Sequence, residues 1–162
     1  MKTKFLTIIS CGLLLLAAGC KKQQEPVNPD KQSFSANVAR PEWAAPKDYD
    51  YASSMTAVVQ VDLAAQYPTL AADFVLDDND LIAAFSGETC LGTATPDDGL
   101  FFLYVTWPSS LQGEEGEWLV TLRYYSAHYK NIFEAKDAFP YVNDSRQGSA
   151  DTPFLPAFVV TK

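Results

Sequence analysis

The side chains in this 162-residue chain that could do chemistry fall into a few groups. The densest is the run Asp77-Asp78-Asn79-Asp80, with several side-chain oxygens in consecutive positions. A hard cation such as calcium takes about 6–8 oxygen ligands. Asp97 and Asp98 would add to the set if the two turns met at one end of the fold. The run lacks the glycine and distal glutamate of an EF-hand loop, and a solvated turn that keeps a strand edge from pairing uses the same residues. Glu114, Glu115 and Glu117 offer paired carboxylates, which glycoside hydrolysis needs about 5–9.5 Å apart. They crowd into one Gly-containing stretch, Ser109–Glu117, and read as a wet loop. His128 is the sole histidine. No Gly-x-Ser-x-Gly elbow accompanies it, and no His-Glu-x-x-His or Cys-x-x-Cys motif supports a zinc site. Cys90 with His128 is the one conceivable nucleophile pair; a small packed strand residue is the plainer role for that thiol. Hydrolysis is therefore the weakest reading, and no enzyme activity is expected.

Aromatic residues offer more. Rings on a sheet face or at loop ends can stack on sugars or anchor a protein partner. Trp107 and Tyr125 are expected to face outward and, with Tyr129, are the candidate ligand contacts. Trp118 and Tyr124 are expected in the core, while Tyr104 and Tyr141 are left without an assigned face.

The elements that must position these residues are strands. Thr56–Leu63 alternates, with Ala57, Val59, Val61 and Leu63 on one face and Gln60 and Asp62 on the other. Ala64–Val75 is Ala-rich but contains Pro68 and reads as an irregular crossover. Asp80–Phe85 and Glu88–Thr95 form a tight hairpin about Ser86 and Gly87. Pro96-Asp97-Asp98-Gly99 is turn chemistry. Leu100–Trp107 is a β-prone run ended by Pro108. Trp118–Tyr125, Asn131–Ala135, Phe139–Val142 and Phe154–Thr161 follow, with Pro156 marking a bulge or an edge. About eight short strands and no amphipathic helix predict an all-β, antiparallel two-sheet β-sandwich of the immunoglobulin-like, Greek-key kind.

The start of the chain is different in kind. Lys2 and Lys4 precede a mostly apolar run, Phe5–Leu16. At about 1.5 Å per residue this run falls short of a hydrocarbon core of about 30 Å. A basic head, a short apolar stretch and small residues make a secretory signal. Ala17, Ala18 and Gly19 before Cys20 resemble the lipobox of bacterial lipoproteins, although the leucine stands four places before the cysteine rather than three. That resemblance implies a signal over residues 1–19 and lipid on Cys20, the membrane anchor. Lys21 in place of an aspartate points to the outer membrane, facing the periplasm or the cell surface. Residues 20–40, polar and carrying Pro26 and Pro29, read as a flexible tether of about 25 Å r.m.s. reach, with the domain spanning 41–162. The formal charge of -8 becomes about -10 once Lys2 and Lys4 leave with a signal that carries no acid. Such a chain is no nucleic-acid binder, since phosphate contacts need clustered cations. Cys11 leaves with the signal and Cys20 takes lipid, so Cys90 has no disulfide partner and packing must hold the fold.

The blocks DLIAAFSGETCLGTATPDDGLFFLYV, GEWLVTLRYYSAHYKNIFEA and FPYVNDSRQGSADTPFLP resemble a β-sandwich module of secreted and cell-surface lipoproteins of the Bacteroidota. The likeness rests on Asp80, the Ala83-Ala84-Phe85 strand, Cys90 and Gly92, the Gly116-Glu117-led strand ending in Tyr124-Tyr125, and Gly148 before Pro153-Phe154. Members carry Gly-Glu-Cys-Arg-Gly; here Thr89 intervenes and Leu91 replaces the arginine, so no role of that arginine carries over. The resemblance implies a non-catalytic, surface or secreted module and no particular substrate. The expected function is binding or adhesion to a glycan or a protein, without a cofactor unless calcium is held. A structural subunit of a larger envelope complex is the alternative.

Overall fold

The computed structural model describes residues 34–45, 47, 51–111 and 118–160. Its elements are β1 (Tyr51–Val59), a single-turn helix α1 (Leu63–Gln66), β2 (Leu81–Ser86), β3 (Thr89–Ala94), β4 (Pro96–Asp97), β5 (Leu100–Pro108), β6 (Leu119–Ser126), β7 (Asn131–Ala135), β8 (Phe139–Pro140), β9 (Arg146–Gln147) and β10 (Phe158–Val160). They form two sheets, one in the order β4-β5-β1-β9 and the other β10-β7-β6-β2-β3, with β8 paired to β6. The pairings are antiparallel except β1 with β9. The expected β-sandwich is thus the architecture, with ten short strands described because β4, β8 and β9 are two residues each. No described helix is long and apolar enough to cross a membrane.

Alternation builds the core. Met55, Ala57 and Val59 of β1 and Phe101, Leu103, Val105 and Trp107 of β5 point inward, where they meet Ile82, Ala84, Leu122, Tyr124 and Phe133 of the second sheet. Each inward side chain leaves water, which stabilises the packed state by roughly 1.5–3 kcal/mol for a full-sized apolar group. The hairpin turns follow from residue type. Gly87 (φ 58°) turns β2 into β3, and Asp98 (φ 47°) with Gly99 (φ 80°) turns β4 into β5. Two left-handed residues in succession match the twist of a hairpin, which is why Asp-Gly works there. At Gly92 the two sheets come together: a Cβ would collide with the Tyr104 carbonyl oxygen, and Thr106 Oγ1 donates to the Leu91 carbonyl at 2.9 Å. Only glycine lets β3 and β5 approach so closely.

Boundaries depart from the sequence expectation at several strands, most at the first and the last. β1 stops at Val59 rather than Leu63, because Asp62 accepts the Ala65 N–H at 2.8 Å and starts α1. Val61 and Leu63 are still buried, so the face assignment holds while the strand does not. The final strand is only Phe158–Val160; Phe154 makes a lone parallel bridge to Val59. The crossover over 64–75 acts on that last strand. Gln66 Nε2 donates to the Pro156 carbonyl (3.1 Å), Gln66 Oε1 accepts the Phe158 N–H (2.7 Å), and Tyr67 OH donates to the Phe158 carbonyl (2.6 Å). These side chains fill the outward backbone groups that another strand would use.

Residues 34–40, which composition assigns to the tether, pack against the domain. Phe34 sits in the core against Tyr67, Tyr129 and Phe133. Its carbonyl accepts from Asn131 Nδ2 at 2.7 Å, the Val38 N–H donates to the Lys130 carbonyl at 2.7 Å, and Arg40 Nε donates to the Asn79 carbonyl at 2.9 Å. Trp43 sets its ring edge-on to Phe85 at 5.5 Å. The segment therefore straps the outer face of the second sheet. The proposed signal, Cys20 and the rest of the tether lie outside the described residues.

Candidate functional site

The outer face of the first sheet is built by the same alternation that fills the core. With Phe101, Leu103 and Val105 inward, Phe102 and Tyr104 must point out, and they are 48% and 51% exposed. Antiparallel register sets Phe102 across from Val58 and Tyr104 across from Thr56. The two rings stand two residues apart on one strand, about 7 Å along its axis. Tyr104 OH donates to Ser54 Oγ at 2.9 Å, which lays its ring along β1.

The far side of β1 is framed by the chain around β9. Asn143 Oδ1 accepts the Ser54 N–H (3.1 Å), the Asp144 N–H donates to the Ser54 carbonyl (2.9 Å), and the Thr56 N–H donates to the Ser145 carbonyl (3.1 Å). Parallel register then puts Arg146 beside Thr56. Gly148 (φ 75°) lets the chain turn back: a Cβ there would meet Val58 O and Phe154 N, each at 2.6 Å. The result is a shallow depression of about 380 Å3 between Phe102, Tyr104, Val58, Arg146 and Ala150. It adjoins a more polar one of about 570 Å3 lined by Ser54, Thr56, Asp144 and Arg146. A third, of about 430 Å3, continues on the other side of Phe102 past Thr93, Thr95 and Asp97. The ion pairs among the described residues are Arg123–Glu88 and His128–Asp73, so the Arg146 guanidinium has no carboxylate partner there. Two apolar rings beside hydroxyls, one guanidinium and two carboxylates can hold a molecule that is flat and apolar on one side and rich in hydrogen-bonding groups at its rim.

The candidates named from the sequence lie elsewhere. Trp107, expected outward, is 3% exposed and belongs to the core, stacked on Trp118 at 4.6 Å and against Tyr141 at 4.9 Å. The reason is phase: position 107 continues the inward series 101, 103, 105. Trp118 and Tyr124 pack inward as expected. Tyr125 does face away from the core, but the strap covers it to 5% exposure, and its OH donates to the Val38 carbonyl at 3.3 Å. Tyr129 is 6% exposed; its OH donates to Asp73 Oδ1 at 2.9 Å. Burial, with the Asp73 carboxylate, pushes the Tyr129 phenol up to about 12. These rings hold the fold together.

The acidic run is a folded turn. Asp77 Oδ1 accepts the Asn79 N–H at 2.8 Å, and Asn79's bonds hold the Asp77 carboxyl below its ordinary range. Asp80 turns inward and is wholly buried. Its two oxygens accept Tyr124 OH (2.6 Å), the Ala127 N–H (2.6 Å) and the Asp77 N–H (3.0 Å). Asp78 is exposed in the same turn, and Asp97 and Asp98 are exposed in the β4–β5 turn. No three His, Cys, Asp or Glu side chains among the described residues cluster so as to hold a metal ion. His128 is an exposed turn residue whose Nε2 lies 3.3 Å from Asp73 Oδ2. The Cys90 thiol is half-buried in β3, pushed up by desolvation and directed at the Gly92 carbonyl. Glu114, Glu115 and Glu117 lie outside the described residues.

Phe102 was within reach of the sequence. Once Phe101 is taken as a core residue, period-two alternation puts Phe102 and Tyr104 outside. Arg146 and Asp144 had no comparable signal, since their place beside β1 depends on a parallel pairing of two residues. Comparison of the chain with family models, curated proteins and solved structures returns no match.

Proposed function

We propose that this protein is a lipid-anchored, non-catalytic binding module of the outer membrane, and that it presents the outer face of the β4-β5-β1-β9 sheet to a glycan or protein ligand. The observation that carries this reading is the exposure of Phe102 and Tyr104 side by side on a regular sheet face. Neighbouring rings exposed on a soluble face mark interaction sites. Of the residues that framed an enzymatic reading, His128 pairs with Asp73, and the Cys90 thiol meets a backbone carbonyl. Export and anchoring rest on the Lys2–Gly19 pattern and Cys20. A tether and acyl chains would hold such a face near the membrane at high local concentration.

The test has two arms. Labelling cells with a radiolabelled fatty acid should mark the wild-type chain and not Cys20→Ala. Binding to a glycan array or to envelope proteins should be lost in Phe102→Ala/Tyr104→Ala while the melting temperature stays unchanged. An unlabelled wild-type chain would remove the anchor, and binding untouched by the double substitution would remove the face.

A further inference from the structure

The depression beside Phe102 and Tyr104 is one part of a longer groove, and the groove's chemistry selects its occupant. We propose that it binds a neutral oligosaccharide chain, an inference that rests on reading this face as a binding surface. Thr56 and Arg146 line both the first and second depressions, so these two adjoin along β1 from Ser54 to Val58, and Phe102 stands between the second and the third. An elongated groove suits a linear polymer rather than a compact ligand. Beside Phe102 and Tyr104 it runs over the faces of β1 and β5. β1 is paired to β5 on one side and to β9 on the other, and β3 abuts β5 at Gly92. A peptide entering here finds no ladder of backbone N–H and C=O groups to extend, so strand addition has no template.

Recognition must therefore come from side chains. The apolar C–H face of a pyranose stacks on an aromatic ring, and its hydroxyls pair with planar and hydroxyl groups at the ring's margin. Phe102 and Tyr104 supply the rings; Thr56, Ser54, Arg146 and Asp144 supply the margin. Charge decides between neutral and acidic polymers. Asp144 stands beside Arg146 in the first depression, and Asp97 lies beyond Phe102 in the third, in a chain of formal charge -8. A polyuronate or sulfated chain would meet repulsion from both carboxylates.

The experiment is titration calorimetry of the purified full chain in detergent. The probes are neutral gluco-, manno-, galacto- and xylo-oligosaccharides, from disaccharide to hexasaccharide, with oligogalacturonate as the acidic control. The expected result is binding of at least one neutral series, tightening with chain length, and none of oligogalacturonate. Phe102→Ala/Tyr104→Ala should weaken binding by about tenfold or more, while Tyr104→Phe, which keeps the ring, holds most of the affinity. Circular dichroism confirms that the variants fold. Absence of binding to every neutral series, preference for the acidic chain, or indifference to the double substitution overturns the proposal. If no sugar binds but the double substitution abolishes capture of an envelope protein, the glycan inference falls and the binding-module reading stands. If the substitution alters neither, both fall.

Discussion

The two sheets of this sandwich treat their outer faces differently. On the second, Leu81, Ala83, Phe85 and Tyr125 are apolar and turned away from the core, yet all are buried. The strap formed by residues 34–43 reaches Tyr125 through the Val38 carbonyl and Phe85 through the Trp43 ring, and Arg123 lays its guanidinium over the Phe85 ring at 4.3 Å while pairing with Glu88 at 2.9 Å. On the first sheet Phe102 and Tyr104 are about half exposed. An apolar side chain left in water forgoes the stabilisation that burial brings. Among the described residues a segment of the chain crosses one face while two rings of the other stay about half exposed, and that contrast favours reading the exposed rings as an interaction surface. It also separates two kinds of aromatic residue: those on the covered face hold the fold, and those on the exposed face are the ones the proposed function assigns to a ligand.

The largest break in that contrast should come from Phe85→Ala. It removes a buried ring, the edge contact with Trp43 and the platform beneath Arg123, and truncating a buried Phe costs about 3–5 kcal/mol. Urea denaturation measures it as a lower midpoint with the same slope. A loss of a few tenths would mean that the strap does not bury this face.

Asp80 ties the covered face to the core, because it takes the Tyr124 hydroxyl and sits next to the Asn79 carbonyl that Arg40 grips. Asp80→Ala leaves a buried hydroxyl and two backbone N–H groups without an acceptor, a loss of about 3 kcal/mol. The same carboxyl sets a pH dependence. Burial holds it above its ordinary value near 3.8, against the pull of Tyr124, Asp77 and Ala127. A carboxyl raised in the folded state binds its proton more tightly there than in the unfolded chain. Its contribution is therefore fully present below about 3.8 and is lost as pH rises through the raised folded value. The stability difference between wild type and Asp80→Asn, followed by urea midpoints upward from that value, should shift against the wild type. A flat difference would mean that the three donors offset burial.

Trp43→Ala is a gentler test. The ring is half-buried, and its loss takes away one edge-to-face contact and part of the cover over Phe85, about 1–2 kcal/mol. Hydrogen exchange should locate the effect: the Val38 amide, bonded to the Lys130 carbonyl, should exchange faster while the β1–β5 amides do not. Uniform acceleration across both sheets would make the strap part of the global fold rather than a cover.

The strands and the faces of their residues were legible where alternation is strict, as along LFFLYVTW. They were illegible where one residue's side chain redirects the backbone. Asp62 ended β1 by capping a helical turn, and no periodicity announces that. The strap was hidden by composition: KQSFSANVAR looks like a linker, and only Phe34 and Val38 hint that part of it packs. Trp107 was placed outward against the phase of Phe101, Leu103 and Val105, whereas Tyr125 does face away from the core and only its cover was unforeseen. The groove beyond Phe102 and Tyr104 depends on β9, whose two-residue parallel pairing leaves almost no trace in the sequence.

The smallest effect on stability is expected at the bare face. Phe102 is about half exposed, makes no hydrogen bond through its side chain and sits opposite Val58 on a strand held by the full β1–β5 ladder. Phe102→Ala should therefore change stability by about 0.5 kcal/mol or less. Phe85→Ala is the same substitution on the other sheet, so the pair forms one experiment read in the same urea titration. The size of the gap between the two variants measures how completely one face is covered and the other left open. Equal losses would show that Phe102 supports the sheet as Phe85 does, and its exposure would then need no ligand to account for it. A near-zero loss at Phe102 together with lost binding would assign that ring to recognition, since nothing in the fold would have required it.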